Sequence, residues 1–230
     1  MNDYGRKYAE FAKESFSWRY IERPALERVL PGDAYSDETE VLDIGCSAGR
    51  VVDFHLRTSC RESNVTGIDP DETTIEMAKE NFPEATFINK RIQDVDLADR
   101  TYDIVTAQLS LRYLDNSELA QVLGSVASSL KPNGIFVMLD THPARHALTD
   151  GFERYSEEGV RTAATPWGGS ESFYYRTIST YINSIIEASL SIGRFDECPI
   201  ESEAKEDYPD EYKRYNRSPA RFMIMARKSN

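Results

Sequence analysis

The stretch that decides the fold is VLDIGCSAG, at residues 41–49. Its first four residues, apolar except for Asp43, are typical of a buried strand, and residues 49–56 fit a helix that follows directly. Gly45 and Gly49 bound the connecting loop, where the lack of a Cβ permits backbone conformations and close ligand approach that other residues do not. The stretch therefore predicts a strand, a tight loop and a helix, with a ligand held at the loop.

Apolar runs continue to alternate with amphipathic stretches beyond this loop. Further strands are predicted at residues 65–69, 85–89, 102–107, 134–140, 195–200 and 222–226. The clearest helix carries leucine and valine at helical spacing between residues 119 and 130, and another is expected near residues 178–186. Residues 141–173 are polar, and no regular pattern is recognised there. The order predicts an α/β domain with a doubly wound, seven-stranded, mostly parallel sheet and helices on both faces.

Charge and composition narrow the class of protein. The 230 residues carry a formal net charge of −12, which disfavours nucleic acid as a partner, because phosphate binding needs clustered Lys and Arg. Cys46, Cys60 and Cys198 lack the spacing of a disulfide framework or metal site. Neither a signal peptide nor an 18-residue apolar run is found. We expect a cytoplasmic protein without a metal ion and without membrane contact.

Three interpretations of the glycine loop compete. A nicotinamide dinucleotide site prefers G-x-G-x-x-G, but Ser47 occupies the position of the second glycine. Residues 45–49 also match G-x-S-x-G, the nucleophile elbow of hydrolases. Such an elbow normally follows several strands, whereas this one follows the first strand of the chain. In the third interpretation Asp69, which ends the next strand 24 residues after Gly45, meets a ribose hydroxyl of a bound nucleoside.

Five motifs in register favour the third interpretation. After residues 41–49, the chain has GIDP at 67–70, RIQD at 91–94, YDIVTAQLSL at 102–111 and LKPNGIF at 130–136. Their order and spacing resemble the class I S-adenosylmethionine (SAM)-dependent methyltransferases. The resemblance implies a Rossmann-like methyltransferase fold, SAM as cofactor and a single domain over residues 1–230. It divides that domain into an N-terminal helical lid at 1–38, a SAM-binding core at 39–140 and an acceptor-pocket segment with a C-terminal strand hairpin at 141–230.

The resemblance also implies a role for individual residues in holding SAM. The loop would hold the methionyl part, Asp43 would lie near its amino group, and Asp69 would bind the ribose. The other positions would line the nucleoside, flank the adenine or pass near the sulfonium. The predicted cofactor-binding residues are Asp43, Gly45, Cys46, Ser47, Gly49, Asp69, Pro70, Met77, Ile92, Gln93, Gln108 and Leu109.

The methyl acceptor is expected to be a small molecule with an oxygen or nitrogen nucleophile. His142, just after the fifth strand, is the candidate general base, and the alternative is a loop histidine bound to a backbone carbonyl. Arg112 stands where the family often has histidine. It is either an anion clamp or a packing residue. Trp167, Tyr175 and Arg176 are candidate substrate-binding residues, with core packing as the alternative.

Other functions within the same fold stay open at this stage. An RNA or protein methyltransferase and a non-catalytic SAM-binding regulatory module are the alternatives to a small-molecule enzyme. His55, in the helix after the glycine loop, is predicted to be partly exposed scaffold. The chain is expected to act as a monomer or a homodimer.

Overall fold

The computed structural model describes residues 3–58, 60–98 and 100–228, so the outermost residues of the predicted N- and C-terminal segments lie outside it. The strands are β1 Val41–Ile44, β2 Val65–Asp69, β3 Thr86–Asn89, β4 Tyr102–Gln108, β5 Leu130–Thr141, β6 Gly159–Ala164, β7 Ser170–Tyr175, β8 Leu190–Glu197 and β9 Arg221–Lys228. The α-helices are α1 Asp3–Lys13, α2 Arg23–Val29, α3 Arg50–Leu56, α4 Glu72–Asn81, α5 Asn116–Ser129, α6 Pro143–Asp150, α7 Ile178–Glu187, α8 Ala204–Asp207 and α9 Pro209–Tyr215.

A seven-stranded sheet organises the molecule in the order β3-β2-β1-β4-β5-β9-β8. The first five strands are parallel, and β9 and β8 add to the edge as antiparallel strands. The predicted fold class is therefore confirmed. Because β1 lies between β2 and β4, the chain reverses its winding direction at β1. In sheets of this kind, ligands bind at the carboxyl ends of the strands beside this switch point.

Two apolar layers, one on each face of the sheet, account for the position of the strands. All four residues of β1 are buried; Val41 packs with the layer that includes α2 and α3, whereas Leu42 packs with the layer that includes α5 and α7. Burial on both faces explains why β1 is apolar on both faces, with Asp43 as its one polar residue, rather than alternating between apolar and polar. The sheet is thus fixed from both sides at the strand that leads into the glycine loop.

Polar side chains set the starts of two helices. Asp71 accepts a hydrogen bond from the Thr74 backbone N–H at 2.8 Å and begins α4. Asp115 and Glu118 form a reciprocal capping box at the start of α5. These caps hold the connections that follow β2 and β4 at the edge where ligands bind.

The segment after β5 differs from the prediction. Residues 141–173 are not irregular: α6 is followed by β6 and β7, which pair as a separate antiparallel hairpin. The hairpin was missed because its strands are polar and half exposed, so the apolar signal is weak. The last sheet hairpin also begins earlier than predicted, since β8 covers Leu190–Glu197 rather than residues 195–200.

The N-terminal segment contains a local irregularity. Trp18–Glu22 forms a π-helical turn between α1 and α2, and Glu22 at its end is completely buried. Turns of this type are frequent at functional sites. Within the described residues, no helix combines the length and the apolar character that crossing a membrane requires.

Candidate active site

The glycine loop turns sharply over the end of β2. Gly45 has a φ of 76°, and the N–H groups of Gly45 and Cys46 both donate to the Ile68 carbonyl, at 2.8 and 3.1 Å. A Cβ on Gly45 would lie 2.3 Å from the Cβ of Ser110. Glycine is therefore required at this position for two reasons: the backbone is left-handed, and Ser110 approaches closely.

Asp69 holds the loop from the neighbouring strand. Its carboxylate accepts the Ser47 backbone N–H at 3.0 Å and the Asp71 backbone N–H at 2.9 Å. Burial raises the pKa of Asp69, although both N–H donors oppose that shift. The Ser47 hydroxyl is buried and has no hydrogen-bond partner among the described residues. Since no base contacts this hydroxyl, the geometry does not support the nucleophile elbow.

A cavity of about 510 Å³ opens beside the loop. Ten of the predicted site residues line it: Gly45, Ser47, Asp69, Pro70, Ile92, Gln93, Gln108, Leu109, Arg112 and Trp167. Seven others are not among its lining residues: Asp43, Cys46, Gly49, Met77, His142, Tyr175 and Arg176. At position 49 the fold itself requires glycine, because φ is 90° and a Cβ there would lie 2.5 Å from the Phe82 ring.

We name two parts of the cavity by their residues. The glycine-loop wall consists of Gly45, Ser47, Asp69, Ile92 and Gln93, and the arginine wall consists of Glu22, Gln108, Arg112, Glu171 and Arg221. All five residues of the first set lie in the sequence motifs. The second set contains three residues, Glu22, Glu171 and Arg221, for which the motifs give no signal.

Glu22 is the centre of the arginine wall. Its carboxylate accepts from Arg221 Nε at 2.7 Å and from Gln108 Nε2 at 2.8 Å, and Arg50 lies 3.5 Å away. Burial by itself would raise the pKa of Glu22, but the two arginines outweigh it and hold the pKa below its ordinary value. Because the ionised carboxylate only accepts, Gln108 must turn its NH₂ group towards Glu22. Its Oε1 is left buried without a partner among the described residues.

Arg112 joins the arginine wall to the hairpin. Its guanidinium donates to Thr141 Oγ1 at 3.1 Å, lies 4.0 Å from the centre of the Phe173 ring, and is 3.5 Å from Glu171 Oε1. The other oxygen of Glu171 accepts the Tyr113 hydroxyl at 2.6 Å. The cation–π contact and the hydrogen bond fix Arg112 in place. Its contact with Glu171 is longer than an ideal charge-assisted hydrogen bond.

The hairpin turn and α1 meet at the cavity. Trp167 lies in that turn, and its ring centre is 5.0 Å from that of Tyr8 and 5.4 Å from that of Phe11. All three side chains line the cavity. The N-terminal helix and the segment after β5 thus cover the cavity together, although neither belongs to the sheet.

His142 lies away from the cavity. Its Nδ1 accepts the Ala144 backbone N–H at 3.1 Å, so that it begins α6, and its Nε2 is 3.1 Å from Glu197 Oε1. Burial lowers the pKa of His142, and Glu197 partly offsets this. The contacts are those of a structural residue that connects α6 to β8.

Tyr175 and Arg176 are also held by structural contacts outside the cavity. The Tyr175 hydroxyl donates to the Tyr155 carbonyl at 2.8 Å. Arg176 is 1% exposed and donates to Asn116 Oδ1 and the Leu114 carbonyl. Arg176 therefore fastens the hairpin to the start of α5, and Tyr175 fastens it to the segment between α6 and β6.

His55 is completely buried, so the prediction of a partly exposed residue is wrong. Its ring bridges the Tyr35 hydroxyl, at 2.7 Å from Nδ1, and Thr106 Oγ1, at 3.1 Å from Nε2. Thr106 in turn donates to Asp43 Oδ1 at 2.9 Å. The helical spacing offered a signal, because His55 follows the buried Val51 and Val52 by four and three residues and shares their face.

Comparison with known proteins agrees with this geometry. The sequence model of a family described as "Methyltransferase domain" matches residues 41–134. An uncharacterized methyltransferase of Synechocystis sp. is 28% identical over 109 residues, or 47% of this chain and 50% of that protein. A ubiquinone/menaquinone biosynthesis C-methyltransferase of Campylobacter jejuni is 27% identical over 54% of this chain and 52% of its own length. The chain thus spans about half the length of these two curated relatives.

A solved structure extends the likeness over the whole fold. A putative S-adenosylmethionine-dependent methyltransferase of Listeria monocytogenes superposes with a TM-score of 0.74 at 25% identity, covering 91% of this chain and 99% of that one. Residues 41–134 thus carry a methyltransferase domain, and the fold around it is that of the SAM-dependent methyltransferases. The predictions of the family, of an enzyme and of SAM as the cofactor are confirmed at this level.

The residues at the glycine loop fit such a cofactor. The Ser47 hydroxyl and one oxygen of Asp43 are buried without partners among the described residues, and Asp69 presents a carboxylate to the cavity. Buried polar groups of this kind normally have partners. A ligand with amino, carboxylate and ribose hydroxyl groups supplies the complementary donors and acceptors.

Proposed function

We propose that the chain transfers a methyl group to an oxygen or nitrogen atom of a small-molecule acceptor. The cavity carries the proposal: its volume of about 510 Å³ lies in the range of small-molecule sites, and α1 and the hairpin turn cover it. The net charge of −12 supports a small molecule over RNA. An RNA or protein acceptor would need an open groove in place of the contact between Trp167 and Tyr8.

The glycine-loop wall would position the cofactor. Asp69 offers its carboxylate to the ribose hydroxyls, the loop seats the amino-acid part, and Ile92 and Gln93 flank the base. SAM, once bound, supplies a methyl group already activated by the sulfonium, so that the protein mainly positions the reactants and excludes water. Cys46, Gly49 and Met77 would support this wall from behind, and Asp43, also behind the wall, would act on the amino group of the amino-acid part.

The arginine wall would receive the acceptor. Arg112 and Trp167 keep their proposed role, because both line the cavity. Glu171 replaces His142 as the proposed proton acceptor, because it is a carboxylate on the cavity surface whereas His142 is occupied by α6 and Glu197. Glu22 is unsuited to that task, since Arg221 and Arg50 stabilise its ionised form.

Methyl-labelled SAM with a panel of small phenols, hydroxy acids and amines tests the proposal. We expect transfer to at least one acceptor, and an at least tenfold slower rate in Glu171→Gln, in the range that general-base catalysis contributes. A wild-type protein that binds S-adenosylhomocysteine but methylates no member of the panel would contradict it and favour a non-catalytic binding module.

A carbon acceptor is the second candidate. The Campylobacter jejuni relative is named as a C-methyltransferase, and carbon nucleophiles also need a base to remove a proton. The product made with ¹³C-methyl SAM distinguishes the two, because methyl groups on carbon, nitrogen and oxygen differ in ¹³C chemical shift.

A further inference from the structure

A buried chain of hydrogen bonds runs from the N-terminal segment to the start of the glycine loop. It connects the Tyr35 hydroxyl, the His55 ring, the Thr106 hydroxyl and Asp43 Oδ1, with successive distances of 2.7, 3.1 and 2.9 Å. All four side chains are at most 8% exposed. None of them lines the cavity, so any effect of Tyr35, His55 and Thr106 on a ligand must be transmitted through Asp43, at the end of the chain beside the glycine loop.

The donors in this chain can be assigned by counting protons. Thr106 has one hydroxyl proton and lies near two acceptors, Asp43 Oδ1 at 2.9 Å and the Leu42 carbonyl at 3.4 Å. His55 must then donate its Nε2–H to Thr106, which leaves Nδ1 to accept from the Tyr35 hydroxyl. Burial lowers the pKa of His55 to about 3, so the ring is neutral and has a single N–H.

The direction of the chain favours the ionised form of Asp43. Every hydrogen bond points its proton towards the carboxylate, and successive bonds polarise one another. Burial raises the pKa of Asp43 to about 7, while the Thr106 hydroxyl and Arg50 oppose that rise. The Asp69 carboxylate raises the same pKa further, and the buried Cys46 thiol beside them stays protonated. Asp43 is thus balanced between its two protonation states near neutral pH.

We propose that Thr106 and His55 are positioning residues that keep Asp43 oriented and ionised for the cationic amino-acid end of the cofactor. This inference rests on the proposed function, since it takes that end of the ligand to lie at the glycine loop. The cofactor site is then sensitive to pH. The ionised form of Asp43 attracts the ligand's ammonium group, and protonation removes that attraction. The affinity for the ligand rises as the pH increases through the pKa of Asp43.

Calorimetric titration of the full chain with S-adenosylhomocysteine between pH 5.5 and 8.5 tests the inference. The wild-type affinity should increase with pH about a midpoint near 7. Thr106→Val keeps the shape of the side chain but removes the donor, and it should move the midpoint up by about one unit, which weakens binding roughly fivefold at pH 7. Thr106→Ser retains the hydroxyl and should leave the midpoint unchanged.

Variants at His55 give a graded second test. His55→Leu removes the donor to Thr106 but not the donor to Asp43, so its midpoint should move in the same direction by less. His55→Gln retains an N–H group, so its midpoint should move less than that of His55→Leu. Far-UV circular dichroism and the thermal midpoint show whether each variant is folded.

Three results would overturn the inference. A wild-type affinity that does not vary with pH contradicts it while leaving the cofactor assignment intact. Equal midpoints in the wild type and Thr106→Val, or equal shifts in Thr106→Val and Thr106→Ser, reduce Thr106 to a packing residue. A wild type that binds no S-adenosylhomocysteine at any pH removes both the inference and the proposed function.

Discussion

The two walls of the cavity differ in how far apart their residues lie in the sequence. At the glycine-loop wall, Gly45, Ser47 and Asp69 lie within one strand–loop–helix–strand unit. At the arginine wall, Glu22 contacts Gln108 and Arg221, which are 86 and 199 residues away in the sequence. The first wall is built mainly by backbone geometry, with N–H groups directed by two strand ends. The second is built by charged side chains that meet only once the chain has folded. The difference indicates that cofactor binding is a local property of the core, while acceptor binding depends on how the N-terminal segment and the last strands assemble around it.

Glu22→Gln is the change with the largest expected effect on the arginine wall. Arg221 and Arg50 would be left buried with one carboxylate fewer, and breaking a buried ion pair in this way costs about 3–5 kcal/mol. Urea unfolding should show that loss in the free energy of unfolding. Asp37→Asn, at the exposed contact with Arg61, is the matched control and should leave the urea midpoint unchanged. Equal stabilities of Glu22→Gln and the wild type would mean that the buried cluster does not hold the N-terminal segment.

Gly45→Ala tests the glycine-loop wall. The new Cβ would meet Ser110 and would force a non-glycine residue to a φ of 76°, so the loop must move. Affinity for S-adenosylhomocysteine should fall about 100-fold, or about 2.7 kcal/mol.

The matched control for Gly45→Ala is Gly124→Ala. Gly124 lies within α5 and has open space around it, so the substitution should raise the free energy of unfolding by about 0.5–1 kcal/mol without changing affinity. Unchanged binding in Gly45→Ala would show that the loop is not the seat of the cofactor.

Asp69→Asn should weaken binding less, by about tenfold. The substitution removes the charge and places an amide NH₂ near a backbone N–H of Ser47 or Asp71, and a hydrogen bond to a charged group contributes about 1.5–3 kcal/mol. Asp115→Asn is the control, because asparagine caps a helix as well as aspartate does. Identical calorimetric affinities for Asp69→Asn and Asp115→Asn would rule out a ribose contact at Asp69.

Trp167→Ala should have the smallest effect on the cofactor. It removes the ring contacts between the hairpin turn and α1, so amide hydrogen exchange in residues 5–13 should become faster. The affinity for S-adenosylhomocysteine should change by less than about threefold, since the glycine-loop wall is intact. A loss as large as that of Gly45→Ala would show that the two walls are not separable. Phe152→Ala, at an exposed aromatic outside the cavity, serves as the control.

The same contrast explains which features could be predicted from the sequence. The five parallel strands and the loop at residues 45–49 follow from short apolar runs and glycines that are close together in the chain. The hairpin of β6 and β7 has no such signal, because its strands are polar and half exposed. Glu22 was not identified because one isolated glutamate says nothing about partners 86 and 199 residues away.

His142 and His55 show how burial reverses an interpretation made from position alone. His142 follows the end of β5 as predicted, but its ring turns away to cap α6 and to approach Glu197. Its place in the sequence predicts partly exposed scaffold for His55, yet its ring is buried and connects Tyr35, through Thr106, to the Asp43 carboxylate at the glycine loop. The two residues differ from the prediction in where their side chains point. The spacing of residues in the sequence does not determine that direction.

A crystal structure with bound S-adenosylhomocysteine would show directly how the two walls divide the cofactor and the acceptor. We expect the ribose hydroxyls within hydrogen-bond distance of Asp69, the amino-acid part against Gly45 and Ser47, and the sulfur facing the cavity space beside Gln108, Arg112 and Glu171. A ligand bound in the reverse orientation, or at a place that Asp69 and the glycine loop do not reach, would contradict this expectation.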